Sequence, residues 1–166
     1  MAPLLRRTWA PCGQTPIILQ RGRTFQKISM IAALAVAPQG QRVSLYFSLY
    51  SNANVTARRA SRFLSLLRRQ LRNTLVVLWD RAQIHRARSV ALAHPNCRLA
   101  YFPAYAPELN PVEIFWSYLK KNPLANFAPA TLPALATRAR YHSTKLRHRT
   151  NLLRSFLRAT PLFSAK

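Results

Sequence analysis

The chain is nearly devoid of acids. Its 166 residues hold 26 Lys plus Arg against 3 Asp plus Glu, a formal net charge of +23. Glycine (3) and cysteine (2) are scarce as well. So few glycines exclude a collagen-like repeat, and two cysteines exclude a disulfide scaffold and a four-cysteine zinc site. Cys12 and Cys97 lie far apart without ligand-like spacing and read as two reduced thiols. No run is long enough to cross a membrane: the apolar stretch Ile28 to Ala37 spans about ten residues where about 20 are needed. The basic start runs into Trp9-Ala10-Pro11 without an amphipathic helical stretch, which argues against a transit peptide. A cytoplasmic, nucleoid-associated location is the expectation.

With 49% hydrophobic and 10% aromatic residues the chain is not a disordered polybasic tail. A domain of this length buries roughly 70% of the surface its unfolded chain exposes. Charged residues make up only 17%, so the imbalance comes from missing carboxylates rather than surplus cations. Such a surface attracts polyanions, and nucleic acid is the default partner. Arg outnumbers Lys 21 to 5, and the guanidinium fork grips phosphate oxygens with paired hydrogen bonds.

Residues 1–25, with Pro3, Pro11, Pro16, Gly13 and Gly22 among arginines, read as turns around one short strand near Ile17–Leu19. Lys27 to Ala37 predicts a buried strand, and Pro38-Gln39-Gly40 a turn. Arg42 to Tyr50 alternates, with Val43, Leu45, Phe47 and Leu49 on one side, as a half-buried strand does. These two form an expected antiparallel hairpin. From Val55 to Arg72 the period turns helical, with Ala57, Ala60, Phe63, Leu64, Leu67 and Leu71 on one face and arginines elsewhere.

The continuous apolar run Thr74 to Trp79 ends in Asp80 and predicts a strand buried on both faces, as in a mostly parallel sheet. A helix over 84–94 and a strand from Cys97 to Phe102 follow. Asn110-Pro111-Val112-Glu113 then opens a helix through about Lys121, with Asn as cap and Pro at the first helical position. Val112, Phe115, Trp116 and Leu119 make its core stripe. Beyond Pro123 and Pro129, a last basic helix is expected from about Pro133 to Arg158. The order describes an α/β layer with a hairpin at one side. One domain is read over 1–166, with a Pro/Arg-rich lead-in (1–25), a core (26–122) and a basic helical region (123–166).

The entire acidic inventory is Asp80, Glu108 and Glu113. In α/β sheets chemistry gathers beyond the carboxyl ends of strands, where Asp80 falls. Glu113 follows 33 positions later in a helix's first turn, and the intervening helix and strand can carry the chain back to it. Two carboxylates brought together repel unless a cation lies between them. Mg²⁺ suits such a site, because it takes one or two carboxylates and completes its shell with water and phosphate oxygens. Paired ions of this kind activate water and stabilise a leaving oxygen in phosphodiester cleavage. The plainer alternatives are a pairing of Asp80 with Arg81 or Arg86, and a capping-box role for Glu113. Glu108 reads as a loop residue, and His85 as a helix-start residue that caps or orients phosphate.

The run Leu99-Ala100-Tyr101-Phe102-Pro103-Ala104-Tyr105-Ala106-Pro107-Glu108-Leu109-Asn110-Pro111-Val112-Glu113 through Lys120 resembles a signature of insertion-sequence transposases in the mariner superfamily. Val76 to His85 is similar to the block carrying the second catalytic Asp, and Arg6 to Pro16 to the block just after the first. The resemblance implies a ribonuclease-H-like mixed sheet flanked by helices, with an Asp, Asp, Glu triad holding two Mg²⁺ (or Mn²⁺) ions. Asp80 would be the second acid and Glu113 the third, with Asn110 and Pro111 fixing the helix start that aims Glu113, and His85 near the site. Arg81 stands where Asn is more usual. Arg81, Arg86, Lys120 and Lys121 are the candidate DNA contacts.

The family's first Asp lies on a strand before the Trp-Ala-Pro block, and no acid precedes Trp9 here. The expectation is therefore a C-terminal part of a DDE catalytic domain, lacking its first strand and inactive alone. Intact relatives cleave DNA at element ends and transfer the freed 3′-hydroxyl to target DNA, commonly as homodimers. An upstream transposase fragment would complete this chain. The alternative is a non-catalytic basic nucleic-acid-binding protein.

Overall fold

The computed structural model describes residues 4–19, 26–40, 42–72, 74–82 and 88–163. Strands β1 (Ile28–Val36) and β2 (Val43–Ser51) form the antiparallel hairpin, with Leu34 opposite Leu45 and Ala32 opposite Phe47. Gly40, at φ +70°, closes the turn and donates its N–H to the Ala37 carbonyl at 2.8 Å. A left-handed backbone of this kind favours glycine.

Successive side chains alternate between faces. One face of the hairpin presents Val43, Leu45, Phe47, Met30, Ala32 and Leu34; the other presents Ile31, Ala33, Tyr46 and Tyr50. Both are covered, so the expected half-buried strand is buried more fully than its alternation implies. Two tyrosines, apolar in their rings, fill what the pattern reads as the polar side.

Helix α1 (Ala57–Leu71) covers the tyrosine face. The Thr56 hydroxyl caps it by accepting from the Arg59 N–H, and Ala60, Phe63, Leu64 and Leu67 are buried as the period predicts. Strand β3 (Leu75–Trp79) and strand β4 (Cys97–Tyr101) run parallel, joined through the short helix α2 (Arg88–Ala93). The start of the helix expected over 84–94 lies outside the described residues.

β3 is not buried on both faces. Leu75, Val77 and Trp79 lie under α1, but Val76 is 66% and Leu78 43% exposed. The cause is coverage. α1 lies on one face only, and helices α3 (Pro111–Lys121), α4 (Leu132–Arg147) and α5 (Thr150–Arg158) gather on the hairpin instead. Among the described residues the two strand pairs are separate sheets, β1 pairing only with β2 and β3 only with β4.

The single basic helix expected from Pro133 to Arg158 is two. Arg149 leaves helical geometry (φ −96°, ψ 66°) between α4 and α5. One straight helix of that length would reach about 39 Å and carry Phe156 away from the core. The break returns Leu153, Phe156 and Leu157 to the cluster holding Phe115, Leu119 and Leu146. Each such fully buried side chain contributes about 1.5–3 kcal/mol.

The expected strand at Ile17–Leu19 is also absent, and both residues are exposed. The lead-in is tied down elsewhere. Asn126 donates its backbone N–H to the Leu4 carbonyl (2.9 Å), and its side chain exchanges two 2.8 Å hydrogen bonds with the Arg6 backbone. The Arg6 guanidinium donates to the Lys121 carbonyl at 2.7 Å.

With so few acids, cations find other partners. Arg59 lies over the Tyr50 ring and Arg147 over the Phe47 ring, each at 4.7 Å, and Arg59 also donates to the Asn54 carbonyl. Such ring contacts contribute about 0.5–1 kcal/mol at exposed sites.

Candidate active site

Asp80 is the first residue beyond the carboxyl end of β3 and is exposed. Its Oδ1 accepts from the Ala82 N–H at 3.1 Å, a local turn that fixes the carboxylate at the strand end. The Phe102 N–H donates to the Trp79 carbonyl at 2.8 Å, and Arg81 Nε donates to the Phe102 carbonyl at 3.2 Å. Arg81 thus laces the ends of β3 and β4 together beside Asp80. His85 and Arg86 lie outside the described residues.

From Phe102 the chain runs through an exposed loop and a 3-10 turn at Pro107–Leu109, which holds the exposed Glu108, into α3. Tyr105 in this loop adopts φ +58° with its ring wholly in solvent. That conformation is uncommon for a residue with a Cβ, and no periodicity in the sequence announces it.

Asn110 caps α3. Its Oδ1 accepts from the Val112 N–H at 3.1 Å, Pro111 occupies the first helical position and is buried, and the Glu113 N–H donates to the Asn110 carbonyl at 3.0 Å. A capping box would require the Glu113 side chain to accept from the Asn110 N–H. That N–H instead donates to the Pro107 carbonyl at 3.0 Å. The capping-box alternative for Glu113 is therefore overturned: its carboxylate stands exposed on a helix anchored by buried Phe115 and Leu119.

Lys120 and Lys121 occupy the last turn of α3, about 10 Å along the axis from Glu113. Cations there suit the negative end of the helix dipole.

The carboxylates offer hard oxygen donors at a strand end and a helix start. Among the described residues no three or more His, Cys, Asp or Glu side chains group to hold a metal ion. Carboxylate oxygens are the donor type that Mg²⁺ takes, one or two at a time, alongside water and phosphate oxygens.

Comparison with known proteins identifies the family and the fold. The family model of the DDE superfamily endonucleases matches residues 2–135, and the chain belongs to that family. Endonucleases of this superfamily are generally dependent on divalent metal ions. The fold is similar to that in the crystal structure of the Mos1 strand transfer complex, with a TM-score of 0.51 and 19% identity. The match covers 92% of this chain and 50% of that one, so the chain spans about half the length of its structural relative. No curated protein matches. The expected ribonuclease-H-like α/β fold and the mariner-type resemblance are borne out. Among the described residues no helix is long and apolar enough to cross a membrane.

Proposed function

We propose that this chain takes part in DNA transposition as the portion of a DDE catalytic domain that supplies the second and third metal-binding acids, Asp80 and Glu113. The observation that carries this is the release of Glu113 from capping: Asn110 and Pro107 meet the needs of the helix start, leaving an exposed carboxylate on a rigid support. Asp80, oriented by the Ala82 N–H, would be its partner across the end of the β3–β4 pair.

A bound divalent ion supplies Lewis acidity toward phosphate oxygens and lowers the pKa of a coordinated water. Asp80 and Glu113 would hold the ion, Asn110 and Pro111 would set the direction of Glu113, and Arg81 would hold the two strand ends in register. DNA is the proposed partner. Arg81, Arg86, Lys120 and Lys121 would contact it, His85 would support the site, and the working assembly would be a homodimer.

The same reading explains the open sheets. Among the described residues β1 and β3 each pair on one side only, and α1 covers both pairs. A strand from an upstream transposase segment, carrying the first Asp, would fit beneath α1 and complete a mixed sheet. Without it the chain would bind DNA and not cut it.

Mn²⁺ titration of the purified chain tests the assignment. Asp80→Asn and Glu113→Gln are each expected to weaken binding by about tenfold or more, with the fold unchanged by circular dichroism. Unchanged Mn²⁺ affinity would instead favour the non-catalytic nucleic-acid-binding alternative, which the net charge of +23 alone would satisfy. Co-expression with the upstream segment is expected to restore nicking of element ends, and no nicking would count against the completing strand.

A further inference from the structure

A cleft of about 710 Å³ lies at the amino end of the β3–β4 pair, where Thr74 leads into β3 and Arg98 sits near the start of β4. Asp80 follows the other end of β3, and five residues of strand span about 16 Å. The cleft is thus remote from Asp80. Arg68, Arg69 and Arg72 enter it from the last turn and cap of α1, and Arg98 enters from β4. None of the three acids lines it.

Favourable placement at the carboxyl end of a helix accounts for part of the α1 cluster, but not for Arg98, which lies on a strand. Four guanidinium groups converging without a carboxylate repel one another unless an anion joins them. The field is felt nearby: burial pushes the Cys97 thiol up, while Arg68 pulls it the other way.

His94 also lines the cleft, is 2% exposed, and places Nε2 at 3.0 Å from the Ser61 carbonyl and 2.9 Å from its hydroxyl. The carbonyl can only accept, so Nε2 carries a hydrogen. Nδ1 is buried with no hydrogen-bond partner among the described residues. A buried imidazole nitrogen left without a partner costs about 1–3 kcal/mol.

We propose that this cleft is a second DNA contact, gripping the phosphodiester backbone of a duplex at the opposite end of β3 from Asp80. The arginines supply forked donors to phosphate oxygens, and no base edge is read. The site holds DNA in place while leaving the acid-bearing end of the sheet free. It does not rest on the metal-site assignment, because it needs no divalent ion.

The test is fluorescence anisotropy of the full chain with a duplex of about 20 base pairs, without divalent metal, between 50 and 200 mM salt. Arg69→Gln, Arg72→Gln and Arg98→Gln are combined in one variant. The control combines Arg62→Gln, Arg140→Gln and Arg158→Gln, three exposed arginines outside the cleft, so both variants carry 23 − 3 = +20. Three lost phosphate contacts reduce the slope of log K against log salt by about 2.7. Raising salt fourfold is then expected to cost the native chain about 40-fold more affinity than the cleft variant. The control is expected to keep most of the native slope.

Equal slopes for the two variants would overturn the proposal, because the effect would then be net charge alone. Loss of affinity for single-stranded RNA with duplex DNA unaffected would overturn it as well. Should the triple variant fail to fold, Arg69→Gln and Arg98→Gln singly are each expected to reduce the slope by about 0.9, and an unchanged slope in both would refute the site.

Discussion

The hairpin and the parallel pair differ in how much of them is covered. β1 and β2 are nine-residue strands enclosed on both faces, by α1 on one side and by α3, α4 and α5 on the other. β3 and β4 have five residues each, share α1, and leave Val76 and Leu78 to solvent. The hairpin half is a finished hydrophobic core, whereas among the described residues the parallel half is covered by a helix on one face and carries the candidate residues Asp80 and Arg98. Asp80, Arg98 and the arginine cleft all belong to that thinner half. Rigid support for Glu113 comes from the thicker one through α3.

The sharpest way to break this comparison is to remove a side chain from the finished core. Phe115 is wholly buried, with its ring 4.7 Å from that of Trp116, and it joins the hairpin to α3 and α5. Phe115→Ala is expected to cost about 3–5 kcal/mol, read from urea denaturation by circular dichroism. A loss below about 1 kcal/mol would place the stability of the chain elsewhere.

At the junction of the halves, Asn110→Ala removes the oxygen that accepts from Val112 and is expected to cost about 1 kcal/mol. Because Glu113 follows in the same turn, Mn²⁺ affinity should fall with it. Asn110→Gly should recover most of the stability but leave Glu113 less well aimed. Equal recovery of stability and of Mn²⁺ affinity would show that the cap does not direct the carboxylate.

A half-buried imidazole in the thicker half sharpens the comparison through pH. In the thinner half His94 is held by Ser61; in the thicker half His142 on α4 has a buried Nε2 with no hydrogen-bond partner among the described residues. Burial, then the nearby Arg138 and Lys145, pull the His142 pKa below its usual 6.5. The unfolded chain therefore binds the proton more readily. Stability from this group is present above pH 6.5 and is lost as the pH falls through 6.5 toward the folded value. Urea melts at pH 7.5 and 5.5 should show less acid loss for His142→Leu than for the native chain, and equal losses would refute the assignment.

Much of this organisation was legible from residue order. The arginine-free face of α1, the Asn-Pro start of α3 and the position of Asp80 after an apolar run are local patterns, and local patterns survive folding. What was hidden depends on which layers meet. Thr74 to Trp79 reads as doubly buried because its neighbours are all apolar, yet only Leu75, Val77 and Trp79 find a helix to lie against. Tyr46 and Tyr50 read as a wet face because tyrosine carries a hydroxyl, yet their rings meet α1. The bend at Arg149 was invisible because no proline or glycine marks it; the return of Phe156 to the core is what requires it. Likewise, the cleft arginines on α1 read as an ordinary solvated face, since nothing in that segment tells of Arg98 arriving from β4.

The smallest expected effect tests the open face directly. Val76 and Leu78 gain little from folding as the chain stands, since much of each side chain stays in water. Val76→Thr and Leu78→Thr keep a side chain suited to a strand while removing exposed apolar surface, so each is expected to change stability by no more than about 0.5 kcal/mol. Solubility should rise, because an edge strand with exposed Val and Leu is an aggregation template. The same substitutions made in the presence of the proposed upstream segment should become costly, at about 1–3 kcal/mol, if that segment covers this face on assembly. A small effect alone and a large one in the pair would mark Val76 and Leu78 as interior positions of a larger molecule. A small effect in both would leave them as surface.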